Sequence, residues 1–148
     1  MDVLTFLKDE HDEAKQVFKK LEEAKGASAG RLWDQLKNML TLHEELEETF
    51  FYPQLKEEKN TEDLILESYQ EHHVMDVLIE EISQLEPSDE TWQPKIKVLM
   101  ENTEHHIEEE ETELFPKVRK IWDTAKRKEV GERMEQMKAE RKKERRAA

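Results

Sequence analysis

Apolar side chains recur along this chain at intervals of three and four residues, in four long stretches separated by three punctuated turns. That period lays them along one face of a helix. The first stretch, about residues 2 to 25, carries Leu4, Leu7, Ala14, Phe18 and Leu21, and GASAG at 26 to 30 closes it. The second, about 31 to 57, carries Trp33, Leu36, Leu40 and Phe50. Its Pro53 lacks the N–H a helix interior uses, so the regular ladder bends or ends there. A polar turn at Lys59 and Asn60 leads, with Thr61 as N-cap, into a third stretch carrying Ile65, Ser68, Met75, Ile79 and Ile82. After EPSDETWQP at 86 to 94, the fourth carries Ile96, Leu99, Thr103, Leu114 and Ile121, and Pro116 repeats the interruption seen at Pro53. The pattern predicts an all-α, up-down-up-down four-helix bundle over residues 1–125, with a basic C-terminal helical extension or disordered tail over 126–148.

A histidine breaks each stripe where a hydrophobe would otherwise sit: His11, His43, His72 and His106. In an up-down-up-down bundle, a residue's height is its distance from the nearest turn. The four lie 13 to 17 residues from turn centres near 28, 59 and 89, so at about 1.5 Å per residue they share one layer to within about a helical turn. Two of them belong to a repeat. HEELEETFFYP at 43–53 and HHIEEEETELFP at 105–116 place His43, Glu47, Glu48 and Pro53 on His106, Glu110, Glu111 and Pro116 at a constant offset of 63 residues. Positions i and i+4 lie one above the other on a helix, so each copy offers an imidazole and a carboxylate on one face.

Composition narrows what such a layer can be. The chain has 148 residues, 41% of them charged, and no cysteine. Disulfides, thiolate zinc sites, iron–sulfur ligation and thiol nucleophiles are thereby excluded, so any metal is held by His and carboxylate. The net charge of −13 disfavours nucleic acid as a partner of the bundle. With no basic leader and no apolar span near the ~18 residues a membrane crossing needs, the expectation is a cytoplasmic protein without a membrane partner. The segment 126–148 reverses the sign, with ten Lys or Arg against five Glu. It reads as a frayed or solvated helix, or alternatively as a basic arm for an acidic partner, nucleic acid or a neighbouring subunit.

Four buried imidazoles and two carboxylates would be costly without compensation, at about 1–3 kcal/mol for each unpaired polar group and more for a carboxylate. A cation turns the liability into a ligand set. Mixed N/O sets of more than four ligands suit iron or manganese better than structural zinc, and two carboxylates from different helices can bridge two ions about 3.5–4 Å apart. The residues point to a dinuclear iron site.

The same motifs resemble those of the hemerythrin-like, or HHE cation-binding, domain family over about residues 1 to 122. They are Glu10-His11, the His43-x3-Glu47 followed by Tyr52-Pro53, Glu71-His72, and the His106-x3-Glu110-Glu111 followed by Leu114-Phe115-Pro116. The resemblance implies a four-helix bundle around two iron ions, oxo- or hydroxo-bridged, with Mn or Zn as the lesser alternatives. It implies Glu47 and Glu110 as bridging carboxylates, His11, His43, His72 and His106 as terminal ligands, and small ligands such as oxygen, peroxide or nitric oxide. Oxygen-carrying members have a further histidine one turn after the third-helix ligand, where this chain has Asp76. Asp76, or Glu44 beside His43, is the candidate for an open coordination place. Glu44 has a ligand counterpart in some iron-sensing relatives, although its match at offset 63 is Ile107. The open count favours peroxide, nitric oxide or oxygen-activating chemistry over simple reversible oxygen carriage.

The remaining polar residues receive quieter roles. His73 and His105 sit about 100° round from their neighbours and read as boundary or surface. Glu48, Glu108, Glu109, Glu111 and Glu113 read as solvated faces or at most contacts to ligands. Tyr69 reads as packing, with a secondary reading as a donor to a bound oxygen species. The Glu-x-x-His pair of ferritin-like sites is absent, since Lys8, Leu40, Tyr69, Gln70, Asn102 and Thr103 precede the six histidines by three. Three functions fit: a stoichiometric binder or sensor of oxygen, nitric oxide or iron; a di-iron enzyme consuming peroxide; or a bundle whose folding is controlled by metal occupancy.

Overall fold

The computed structural model describes residues 1–147. Those residues form an all-helical bundle with no strand among them. Helix α1 spans Val3–Leu21, started by Asp2, whose side chain accepts from the Leu4 N–H at 2.8 Å. Lys19 and Lys20 in its last turn face the negative end of the helix dipole. Helix α2, Gly26–Leu46, begins inside the segment expected as a turn. The connection is made by residues 22–25, earlier than expected, with Gly26 at φ 60° at its end, so Ala27, Ser28 and Ala29 join the helix. Helix α4 is Glu62–Ser83 and α5 is Trp92–Glu109. Thr61 stands at the cap position of α4, but its hydroxyl donates to the Leu55 carbonyl at 2.6 Å instead of capping.

The two prolines act in a way the periodicity does not show. Each is preceded by one wide π turn, Glu47–Phe51 and Glu110–Leu114, after which the chain resumes as α3, Tyr52–Lys56, and α6, Phe115–Ile121. Proline's ring clashes with the carbonyl four residues back and it donates nothing there. Widening the turn by one residue relieves both problems: the Tyr52 N–H bonds the Glu47 carbonyl, and the Phe115 N–H bonds the Glu110 carbonyl.

Two apolar clusters result, one above and one below the histidine layer. One gathers Leu7, Leu46, Phe51, Tyr52, Phe115 and Trp122, the other Phe18, Leu36, Met75, Ile82, Trp92 and Leu99. Burying each such side chain is worth about 1.5–3 kcal/mol, which is the reserve that holds a polar layer between them.

The C-terminal segment corrects the expectation of a solvated extension. Asp123 accepts from the Lys126 N–H at 2.8 Å and starts α7, Thr124–Ala147, which packs on α1, α2 and the first π turn. Val130, Gly131 and Met134 are buried. Gly131 is required: a Cβ there would lie 1.9 Å from the Met1 carbonyl oxygen and 2.8 Å from the Val3 nitrogen. Around this contact the charged residues pair across the seam, Arg127 with Asp2 at 2.8 Å, Lys138 with Glu10 at 2.7 Å and Arg141 with Glu45 at 2.6 Å. A long run of Lys, Arg and Glu therefore docks through three small or apolar residues and ion pairs, with too few hydrophobes to show a stripe. No helix among the described residues is long and apolar enough to cross a membrane.

Candidate metal centre

His11 from α1, His43 from α2, His72 from α4 and His106 from α5 converge in the bundle interior as two pairs. The ring centroids of His11 and His43 lie 4.9 Å apart, as do those of His72 and His106. Each ring is oriented by a carboxylate on its Nδ1. Glu111 holds His11 at 2.7 Å, Glu10 holds His43 at 2.8 Å, Glu48 holds His72 at 2.8 Å and Glu71 holds His106 at 2.5 Å. With Nδ1 tied up, every Nε2 points inward, the arrangement that fixes the tautomer of a metal-binding histidine. Glu48 and Glu111 thus hold specific positions, one residue beyond Glu47 and Glu110 on their helices.

Glu47 and Glu110 lie between the two pairs. Glu110 reaches His11 Nε2 with one oxygen and His106 Nε2 with the other, both at 3.2 Å. Glu47 Oε1 lies 3.2 Å from both His43 Nε2 and His72 Nε2. All six side chains are buried except His43, which is 13% exposed. His11 Nε2, His43 Nε2, Glu47 Oε2 and Glu110 Oε1 have no hydrogen-bond partner. Inside the layer two groups of donor atoms are close enough to share an ion, His11, His43, Glu47 and Glu110, and Glu47, His72 and His106, while a third, Glu71, His105 and Glu109, lies toward the surface. Glu47 belongs to both inner groups. Inward-facing orphan nitrogens and oxygens of this kind fit a pair of hard or borderline cations.

Electrostatics make the same point through protons. Burial alone would drive His43 and His106 toward neutrality. The charge of Glu47 on His43 and of Glu110 on His106, with the hydrogen bonds around them, wins and raises both well above 6.5. His11 is raised as well, against its own burial, by the Glu110 carboxylate beside it and by its hydrogen bond to Glu111. Conversely, burial would lift Glu47, yet the His43 charge and the His106 and His72 imidazoles beside it hold it well below 4.5. The layer is an anionic cage that holds positive charge.

Tyr52, beyond its place in the Tyr-Pro pair, is the residue the sequence reading missed. Its hydroxyl lies 3.1 Å from Glu47 Oε1, 3.3 Å from His72 Nε2 and 3.2 Å from His106 Nε2, and it donates to Glu110 Oε2. On a regular helix a residue five beyond Glu47 would point about 140° away. The π turn brings it back onto the same face. At offset 63 stands Phe115, which stacks on His11 with centroids 6.2 Å apart. The two halves of the centre are thus unequal, a phenol beside His72 and His106 and a phenyl beside His11. Tyr69 packs edge-on against Tyr52 at 5.4 Å.

Glu44 and Asp76 stand apart from these donor groups. Glu44 is buried, and burial together with the neighbouring Asp76 carboxylate pushes its carboxyl up to about 10. His73 is exposed and His105 is 64% exposed, the latter paired with Glu109 at 3.0 Å. On the side of the layer away from Tyr52, a cavity of about 400 Å³ reaches all four histidines, Thr103 and Met75.

The model of the hemerythrin HHE cation binding domain matches residues 2–118, and the chain belongs to that family. Among solved structures it is similar to a hemerythrin HHE cation binding domain-containing protein, the Rv2633c homolog from Mycobacterium kansasii. The two share 23% sequence identity at a TM-score of 0.82, over 93% of this chain and 85% of that one. None of the curated proteins matches.

Proposed function

We propose that this chain is a non-haem di-iron protein that binds or senses a small ligand such as oxygen, peroxide or nitric oxide. The observation that carries the reading is the placement of Glu47 and Glu110 between two imidazole pairs, with His11 Nε2, His43 Nε2 and one oxygen of each carboxylate lacking a partner. His11 and His43 would hold one ion and His72 and His106 the other, with both carboxylates shared and Tyr52 as a further donor on the second. Bound iron supplies a redox-active Lewis acid that can take such a ligand.

The protein's own residues decide where that ligand enters. Tyr52, Phe51 and Phe115 close one side of the layer with an apolar wall. The other side opens on the cavity, where Thr103 presents a buried hydroxyl without a partner. Thr41, Ser68, Ser83 and Thr112 each donate to the carbonyl four residues back, at 2.7–2.8 Å, as mid-helix hydroxyls commonly do. Thr103, equally mid-helix, does not, which leaves it available to a small molecule beside the histidines.

Absorbance spectra of the reduced protein after adding oxygen, peroxide or nitric oxide test the reading. A reversible new band supports binding, and sustained gas evolution from peroxide would move the assignment to an enzyme. If chelation melts the helices and no ligand perturbs the spectrum, metal serves the fold alone.

A further inference from the structure

Two features of the cavity exceed what a diatomic ligand needs. A water-sized molecule takes about 30 Å³, and the cavity offers about 400 Å³, the size range of sites for small organic molecules. Uncharged oxygen or nitric oxide also has no use for cations, yet Lys20, Lys138, Lys142 and Arg145 line it.

Those cations are out of keeping with the rest of the chain, whose net charge is −13. Against them the lining sets two carboxylates, Glu10 and Glu13, and Glu10 is already held by Lys138 at 2.7 Å. Lys20, Lys142 and Arg145 have no carboxylate at ion-pair distance among the described residues, whereas their neighbour Arg141 on α7 has Glu45 at 2.6 Å. Lys20, Lys142 and Arg145 are exposed, which puts them at the outer end, while the histidines are the inner end. Between the two ends the wall carries the apolar side chains of Ala14, Val17, Met39, Leu40, Leu42 and Met75, with Gln16, Gln35 and Asn38 among them.

We propose that the chamber lined by α1, α2, α4, α5 and α7 binds an anionic amphiphile, a carboxylate on an unbranched apolar chain, with the head group at Lys20, Lys142 and Arg145 and the chain along Val17, Leu40 and Met75. The repulsive surface elsewhere and the cationic rim steer such an anion to one place. The chain gains by leaving water, and the carboxylate stays at the wet rim where its charge costs little to keep. Helix α7 then has a second task beyond covering α1, since Lys142 and Arg145 are its contribution to the rim. The proposal does not depend on which metal occupies the centre.

Calorimetric titration of the protein as purified with butanoate, hexanoate and octanoate tests it, with iron content assayed in the same sample. The expected result is binding that tightens about fourfold for each added methylene. Octanoate should bind more weakly, by about fivefold to tenfold, to Lys142→Ala/Arg145→Ala, a pair of exposed positions whose loss leaves the helical circular dichroism intact. Octanol should be indifferent to that substitution. Equal affinities along the chain-length series would overturn the proposal, since that is the behaviour of a small-anion site. Tight octanoate binding that ignores the double substitution but shifts the visible spectrum would overturn it too, by placing the carboxylate on the metal.

Discussion

Replacing Tyr52 by Phe removes one oxygen atom from the most crowded polar point of the molecule. A phenol carries one proton, yet this oxygen has two carboxylates and two imidazole nitrogens around it. Its pKa is driven well above 10 by burial and by the charges of Glu110 and Glu47, so in the metal-free protein it stays protonated and donates. The ring itself should fit unchanged, because the repeat already places a phenyl at the equivalent position, Phe115. Glu47 stays within ion-pair distance of His43 and His72, and Glu110 of His106, at 3.2 Å, but no hydrogen bond replaces the one that is lost. The cost to metal-free stability is therefore one hydrogen bond to a charged acceptor, about 1.5–3 kcal/mol. The metal-loaded protein should respond differently. If Tyr52 donates to the His72–His106 side, ferric protein carries a phenolate charge-transfer band in the visible, and Tyr52→Phe abolishes it while weakening the retention of one ion. Urea unfolding with and without chelator, alongside the visible spectrum, reads both effects. A Tyr52→Phe protein with unaltered stability, spectrum and metal retention would refute the geometry.

Other consequences can be measured independently. Gly131→Ala drives a methyl into the backbone of Met1 and Val3, so it should cost about 1–3 kcal/mol and speed hydrogen exchange along α7 before the rest of the bundle. Glu71→Ala removes the carboxylate that orients His106 and should weaken metal binding by about 10–100-fold, measured by competition with a chromogenic chelator, with helix content retained. The contribution of the Glu47, Glu110, His11, His43 and His106 layer to the stability of the metal-free protein should be greatest between about pH 4.5 and 6.5. Lowered Glu47 and Glu110 contribute fully above 4.5 and lose their contribution as pH falls through their native values. Raised His11, His43 and His106 contribute fully below 6.5 and lose theirs as pH rises through their native values. Metal binding requires neutral imidazoles, so at pH 7 it should release about two protons from His43 and His106, read by calorimetry in buffers of different ionisation enthalpy.

The four stripes and the histidine layer were legible because helical period and helix length are simple functions of residue number. His43 with Glu47, and His106 with Glu110, needed nothing more than the i+4 rule. Tyr52 was hidden because that rule fails across a π turn, although a Tyr-Pro and a Phe-Pro at the same offset were the available signal. Glu48 and Glu111 were hidden for another reason: a run of glutamates has a member in every direction, so sequence cannot say which one meets a ring. Glu10 and Glu71, each directly before a histidine, hold not that neighbour but the histidine of the adjoining helix, His43 and His106. The helix at the C-terminus was expected, but its docking as α7 escaped because it uses a glycine contact and cross-helix ion pairs in place of an apolar stripe.

The most direct test of the account is the metal content per chain of protein prepared with iron available, for the wild type and for His72→Ala/His106→Ala. The expected values are about two ions per chain, falling to about one or fewer in the double variant with the helical signal preserved. Substoichiometric iron in the wild type that the substitution leaves unchanged would contradict a centre built from these two imidazole pairs.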